Sequence, residues 1–278
     1  MKTPKLDSLH ASVDLTGKIL TVQIDHGRAN EMGSQQIADW EKIVEWLENS
    51  VIQCLVTYSQ RQTKRGTPVF IAGADVTERH DWSEDTVRVH VRRQRSVLQR
   101  LRNVPVFHVC LVNGVALGWG TEFLIACDYR IAMSTASFAL PETSIGILPG
   151  AGGTGELWTM IGIPQAMRLG ITGERIDAAE AHRIGLVQEL TADLQSGLER
   201  VYQLAGQVMK RSPTAIAAFK KALLSGVGAN AKTRTELEAL AYETCLESGD
   251  AVIGRENFKS ITKGEVITWS PRRSFDLP

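Results

Sequence analysis

The sequence predicts a mixed α/β protein: strands and helices recurring in short units, followed by an all-helical C-terminal region. Three observations carry this. Strand-like runs alternate with amphipathic helical stretches up to about residue 195. A loose strand–strand–helix recurrence runs through that part, as in a spiral of αβ units. After "GLVQEL" the remaining segments are helical, with few strand signals. The expected organisation is therefore an αβ core over 1–195 and a helical region over 196–278.

The elements follow in order. "ILTVQID" (Ile19 to Asp25) alternates apolar and polar residues as a half-buried strand does, and Gly17 before it suits a hairpin turn. "HGRANEMG" is a loop. "SQQIADWEKIVEWLENS" places Ile37, Trp40, Ile43, Val44 and Leu47 on one helical face, with Ser34 positioned to cap it. "VIQCLVTYS" (Val51 to Ser59) is a strand, Gln60 to Pro68 a long polar loop, and "VFIAGADV" the next apolar run. Ser83 to Leu101 is a basic amphipathic helix carrying Arg88, Arg92, Arg93, Arg95 and Arg100. "VPVFHVCLVNGVAL" is a buried strand run ending at glycine, and "YRIAMSTASFALPE" gives a strand pair. Helices are expected from about Gly153 to Leu169 and from Ala178 to Ile184. Leu194 to Met209, Thr214 to Leu224 and Lys232 to Ser248 form the tail.

Composition narrows the function. Hydrophobic residues at 43% and charged residues at 22% are the balance of a soluble globular protein. Lys+Arg and Asp+Glu both number 31, so no global field draws nucleic acid or a membrane surface, and any polyanionic ligand must be held locally. The N-terminal stretch lacks a secretory pattern and no apolar run reaches spanning length, so a cytoplasmic location is expected. Cys54, Cys110, Cys127 and Cys245 form no metal-ligand spacing and read as reduced packing residues; no metal is expected.

Three short stretches carry chemistry. "AGAD" (Ala72 to Asp75) follows a strand, and its small residues let a ligand approach free amides. "NGVALGWGTE" runs from a strand into a helix starting near Gly120, where unpaired N–H groups favour negative charge. Glu122 there is read equally well as a first-turn acid complementing the helix dipole. "FALPETSIGILPGAGG" sets Glu142 among apolar residues, which raises a carboxyl pKa; alone it reads as a loop acid facing water. Together, two glutamates facing one small volume cannot both ionise easily, which suits general acid–base chemistry on a carbon acid. Two outward amides can hold an enolate oxygen.

"VFIAGADV", "NGVALGWGTEFLIACDYRIA" and "FALPETSIGILPGAGGTGELWTMIGIPQAMRLGITGERIDAAEAHRIGLVQEL" together resemble the enoyl-CoA hydratase/isomerase (crotonase) family. "RANEM", "SPTAIAAFKKAL" and "CLESGDAVIGRENFKSITKG" extend the resemblance over nearly the whole chain. It implies a crotonase-like spiral of ββα units with a C-terminal helical trimerisation region that covers the acyl-CoA site, assembled as a homotrimer or hexamer. It implies an acyl-CoA thioester substrate, with coenzyme A part of the substrate and no separate cofactor. By matching position, the amides of Ala74 and Trp119 are the oxyanion donors and Glu122 and Glu142 the acid–base pair. Ala72, Gly73, Asp75, Met32, Arg28 and Phe258 are the expected substrate-binding positions, Ala72 beside the adenine end and Phe258 at the acyl pocket. Lys64 and Arg65 are read either as phosphate contacts or as a solvated loop, and Arg28 carries the same ambiguity.

Both glutamates favour hydration of a 2-enoyl-CoA. The glycine-rich turn Pro149, Gly150, Ala151, Gly152, Gly153 holds no acid, which disfavours hydrolase and dehalogenase chemistry. Three readings stand beside hydration. One is Δ3–Δ2 enoyl-CoA isomerisation with Glu142 shuttling the proton. Another is decarboxylation or dehydration of a specialised acyl thioester, on coenzyme A or a carrier protein. The last is a non-catalytic RNA-binding or scaffold protein using the Arg88 to Arg100 helix. Trp119 stands where the family usually has glycine. Either its backbone angles are ordinary and the indole points away, or the oxyanion hole is distorted.

Overall fold

Residues 3–273 are described by the structure, a computed structural model of the chain. β1 (Leu9–Val13) and β2 (Ile19–Ile24) form the expected hairpin, followed by α1 (Ser34–Glu48), β3 (Cys54–Ser59), β4 (Val69–Ile71) and α2 (Glu84–Asn103). Next come β5 (Phe107–Val112), β6 (Val115–Leu117), α3 (Trp119–Ile125), β7 (Tyr129–Met133), β8 (Ser137–Ala139) and α4 (Trp158–Thr172). β9 (Ile176–Asp177), α5 (Ala178–Arg183) and β10 (Glu189–Thr191) close the αβ part. α6 (Leu194–Val208), α7 (Pro213–Ser225), α8 (Ala231–Glu247), α9 (Asp250–Glu256) and α10 (Phe258–Thr262) follow.

The strands divide between two sheets, of order β1-β2-β3-β5-β7-β10 and β4-β6-β8-β9. The division explains the strand–strand–helix recurrence. β3, β5 and β7 pair in parallel in the large sheet, and β4, β6 and β8 pair in parallel in the small one. Each coil of the spiral thus gives one strand to each sheet before the chain moves on. "VPVFHVCLVNGVAL" accordingly breaks at Asn113 and Gly114 into β5 and β6, and "YRIAMSTASFALPE" splits the same way into β7 and β8. A Cβ on Gly114 would lie 2.1 Å from the carbonyl oxygen of Pro68, so only glycine lets the chain cross there.

Large apolar side chains fill the space on one side of the large sheet, with Trp40, Phe70 and Phe123 fully buried and the first two packed on the ring of Phe123. On the other side Ile19, Val56, Val109, Leu111 and Ile131 pack against Val201 and Ala205 of α6. α6 lies beyond residue 195, in the stretch read as tail, yet it seals this sheet.

Two helix ends differ from expectation. The cap of α1 is Gly33, whose amide donates to Gln36 Oε1 at 2.8 Å, while the Ser34 amide donates to the Glu78 carboxylate. The chain reaches α4 only at Trp158, through a widened turn in which Thr154 N–H donates to Pro149 O and Leu157 N–H to Gly152 O. These bonds reach back five residues rather than four, a geometry that recurs at functional sites. Gly162, at φ 77°, then breaks the helix two residues before Pro164. Ser83, Ser212 and Asn230 cap α2, α7 and α8 through their side chains.

The basic face of α2 is largely neutralised within the fold. Arg88 pairs with Asp85, Arg93 with Glu41 and Arg100 with Glu48, and Arg95 donates to the Gly150 carbonyl. The feature that motivated a nucleic-acid reading is therefore mostly spent inside the molecule. Among the described residues no helix is long and apolar enough to cross a membrane. Cys54, Cys110 and Cys127 are buried free thiols, as their apolar settings predict, and Cys245 is partly exposed.

Candidate active site

Three loops meet at one end of the small sheet, each following one of its parallel strands. Ala72 to Asp75 follows β4, Gly118 and Trp119 follow β6, and Glu142 opens a one-turn 3-10 segment, Glu142–Ile145, after β8. Because parallel strands end on the same side, the architecture alone gathers these loops. They enclose a cavity of about 250 Å³ bordered by Ala74, Trp119, Glu122 and Glu142.

The first loop is held from below. Met32 N–H donates to Gly73 O at 2.9 Å, and Asp75 N–H donates to Met32 O at 3.0 Å. The Ala74 amide lies between these bonds and, among the described residues, meets no acceptor. In the second loop Gly118 takes φ 51°, which lets the chain turn sharply out of β6. A Cβ there would come within 2.9 Å of Glu142 Oε1, so glycine also makes room for the carboxylate. Trp119 is the first residue of α3, and its amide has no intrahelical partner.

The unusual tryptophan is thereby accounted for. The positive φ falls on Gly118, Trp119 has no such strain, and its indole packs on Phe123 with ring centroids 5.8 Å apart. The donor position accepts a side chain because the sharp turn is made one residue earlier.

Glu122, in the first turn of α3, is 3% exposed. Its Oε1 accepts from the amides of Ala151 (2.6 Å) and Gly153 (2.9 Å), so the glycine-rich turn is a clamp for this carboxylate. A Cβ on Gly153 would lie 2.4 Å from Pro149 Cβ and 3.2 Å from Glu122 Oε1. The far end of α3 is equally fixed: buried Arg130 donates to the carbonyls of Leu124, Cys127 and Leu186. Burial raises the Glu122 pKa, opposed by the amides of Gly153 and Ala151 and by the charge of Arg95.

Glu142 has no comparable support. Burial pushes its pKa up to about 7, its own backbone amide opposes, and the charge of Glu122 pushes it up further. Its Oε2 is buried without a hydrogen-bond partner among the described residues. Both carboxylates border the same cavity, and burial raises the pKa of each.

The remaining expected positions divide. Ala72 and Gly73 line the cavity, and Ala72 also borders a second cavity of about 710 Å³ with Arg28, Lys64 and Arg65 around it. Three expected positions lie outside the lining of both cavities within this chain. Met32 is fully buried in the core and touches the loop through its backbone, so it supports the site from beneath. The Asp75 carboxylate turns away and accepts from the Thr77 amide and hydroxyl, stabilising the one-turn segment Thr77–Arg79. Phe258 on α10 is 64% exposed and borders neither cavity within this chain. Two polar lining residues escaped the sequence reading, Arg79 and Gln94. Gln94 shares a helical face with His90, Val97, Leu98 and Leu101, all buried, and that spacing was its available signal.

Among the described residues no cluster of side chains could hold a metal ion. Residues 19–264 match the sequence profile of the enoyl-CoA hydratase/isomerase family. The chain is 30% identical over 237 residues to a short-chain-enoyl-CoA hydratase of Clostridium acetobutylicum, covering 84% of this chain and 88% of that one. It is 32% identical over 249 residues to an enoyl-CoA isomerase/hydratase of Mycosarcoma maydis, covering 86% and 89%. The fold superposes on the crystal structure of an enoyl-CoA hydratase from Bacillus anthracis with a TM-score of 0.86 at 28% identity, covering 96% of this chain and all of the other.

Proposed function

The chain belongs to the enoyl-CoA hydratase/isomerase family, and from that premise we propose that it adds or removes water across the double bond of a 2-enoyl-CoA. The observation that carries this reading is the shared cavity: two buried glutamates, held by different hydrogen-bond partners, beside two unengaged main-chain amides. The Ala74 and Trp119 amides hold the thioester oxygen, and the negative charge that develops there on attack falls on fixed donors. Glu122, clamped by two amides that favour its charged form, takes a proton from the attacking water. Glu142, with a pKa near neutrality, gives a proton to the α-carbon. The second cavity, walled by Arg28, Lys64 and Arg65 and joined to the first at Ala72, suits the phosphates and adenine of coenzyme A.

One observation favours isomerisation as a second reading. Glu142 combines a near-neutral pKa with an oxygen that has no partner among the described residues, which is what a single proton shuttle needs. One experiment separates the two. The protein is incubated in heavy-oxygen water with a 2-enoyl-CoA and, separately, a 3-enoyl-CoA. Loss of the conjugated thioester absorbance with gain of one labelled water in mass supports hydration. Conversion of the 3-enoyl to the 2-enoyl thioester with no gain in mass supports isomerisation.

Assembly belongs to the same proposal. Phe219 and Leu223 on α7 and Tyr242 on α8 are exposed apolar side chains, and we assign this face to self-association as a trimer or hexamer. Light scattering on the purified chain tests it.

A further inference from the structure

The cavity has an end that hydration of a simple enoyl thioester leaves unused. Arg79 closes the 3-10 segment Thr77–Arg79, and Gln94 faces it from α2; both line the cavity that Ala74, Trp119 and Glu142 border. Arg79 Nη2 donates to Gln94 Oε1 at 3.2 Å. Arg79 Nε and Gln94 Nε2 are buried and, among the described residues, have no acceptor. Gln94 is only 4% exposed.

No carboxylate among the described residues pairs with Arg79. Its sequence neighbour Glu78 is held elsewhere, by the Ser34 amide at 3.0 Å and beside His90 Nε2 at 3.4 Å. Asp75 is taken by Thr77. A half-buried guanidinium and a buried amide with unmet donors carry a desolvation cost that an anionic or oxygen-bearing ligand would remove. The rest of this end is apolar, with Val91, Ile145 and Ile147 on the lining.

We propose that Arg79 and Gln94 form an anchor for a carboxylate at the far end of the acyl chain, so that the preferred substrates are short acyl-CoA thioesters ending in a carboxylate. This rests on the acyl-CoA reading above. Planarity lets the guanidinium bind a carboxylate through two parallel N–H groups, and the Gln94 amide adds a third donor. The volume agrees: about 250 Å³ falls below the usual range of small-molecule pockets, which suits a short acyl group. Ionised Glu122 repels an anionic tail from the reacting end, so the charge also orients the chain.

The test is a binding comparison that needs no turnover. The full-length protein is titrated calorimetrically with two saturated five-carbon acyl-CoAs, one ending in a carboxylate and one in a methyl group. The carboxylate-ended ligand is expected to bind about 10- to 100-fold more tightly. Arg79→Met is expected to abolish the difference and Arg79→Lys to keep part of it. Equal affinity of the unmutated protein for the two ligands, or binding of neither, overturns the proposal and leaves Arg79 as a brace for α2. A clear preference without hydration of the unsaturated counterpart keeps the anchor and removes the hydratase reading; hydration without preference does the reverse.

Discussion

The start of α3 and the 3-10 turn at Glu142 each bring one glutamate to the same cavity, and they do so by opposite means. Glu122 is almost fully buried, takes two main-chain hydrogen bonds, and rides on a helix whose other end is tied down by Arg130. Glu142 opens a short segment whose following residues Ile145, Ile147 and Leu148 are exposed, and one of its oxygens has no partner among the described residues. Chemically identical side chains therefore differ in how they are held and in what their removal costs. The rigid one is built into the fold, while the loosely held one leaves it little changed.

The largest effect should come from removing the acid. Glu142→Gln keeps shape and polarity but cannot give a proton, and we expect turnover of a 2-enoyl-CoA to fall about 10²- to 10⁴-fold with the melting temperature little changed. Steady-state rates beside a thermal melt check this; a variant retaining full activity sinks the two-acid mechanism.

Glu122→Ala should strike stability as well as rate. It strands the buried amides of Ala151 and Gly153, at about 2–4 kcal/mol for the pair. Glu122→Gln, whose carbonyl still accepts, should keep most of that stability while losing activity. Denaturant midpoints of the two variants, compared side by side, decide whether the clamp is structural.

Gly118→Ala joins the two regions. The new methyl would have to take φ 51° and approach Glu142 Oε1, so a loss of about 1–3 kcal/mol is expected together with a displaced carboxylate. Normal activity in a stable Gly118→Ala protein would show that Glu142 can act from another position.

The smallest effect is a dependence of stability on pH. The folded pKa of Glu142, about 7, lies above the ordinary glutamate value of 4.5. Between these values the native state holds a proton that the unfolded state has lost, so this residue's contribution falls as pH rises and reaches its minimum above about pH 7. Glu142→Gln should therefore be more stable than the parent at pH 8, by on the order of 1 kcal/mol once solvent screening is allowed for, and nearly equal at pH 4. Urea unfolding at the two pH values measures it.

Much of this was legible in the chain before folding. The apolar faces of α1 and α2, the change of character near residue 195, and the three loops with their glycines and glutamates can all be read from spacing and residue type. What could not be read depends on the third dimension. The strand pairs looked like neighbours because nothing local says that β5 and β6 belong to different sheets. The turn before Trp158 looked helical because its residues tolerate helix, and only the demand of Glu122 for two amides widens it. Met32 and Asp75 flank the right loop, but a backbone bridge and a local hydrogen bond engage them elsewhere. Arg79 sits among polar residues that suggest a solvated loop, and its inward course follows from the one-turn segment that Asp75 stabilises.

The placement of the three loops on successive coils has an evolutionary consequence. Each coil contributes its own portion of the rim: the Ala74 amide from the first, the Trp119 amide and Glu122 from the second, Glu142 from the third. A change of length or sequence in one portion leaves the hydrogen bonding of the two sheets intact, so new chemistries can be sampled by swapping single segments. The residues from Thr77 to Arg79, lying just outside the donor loop, are where such tinkering would alter what is recognised without touching how it reacts.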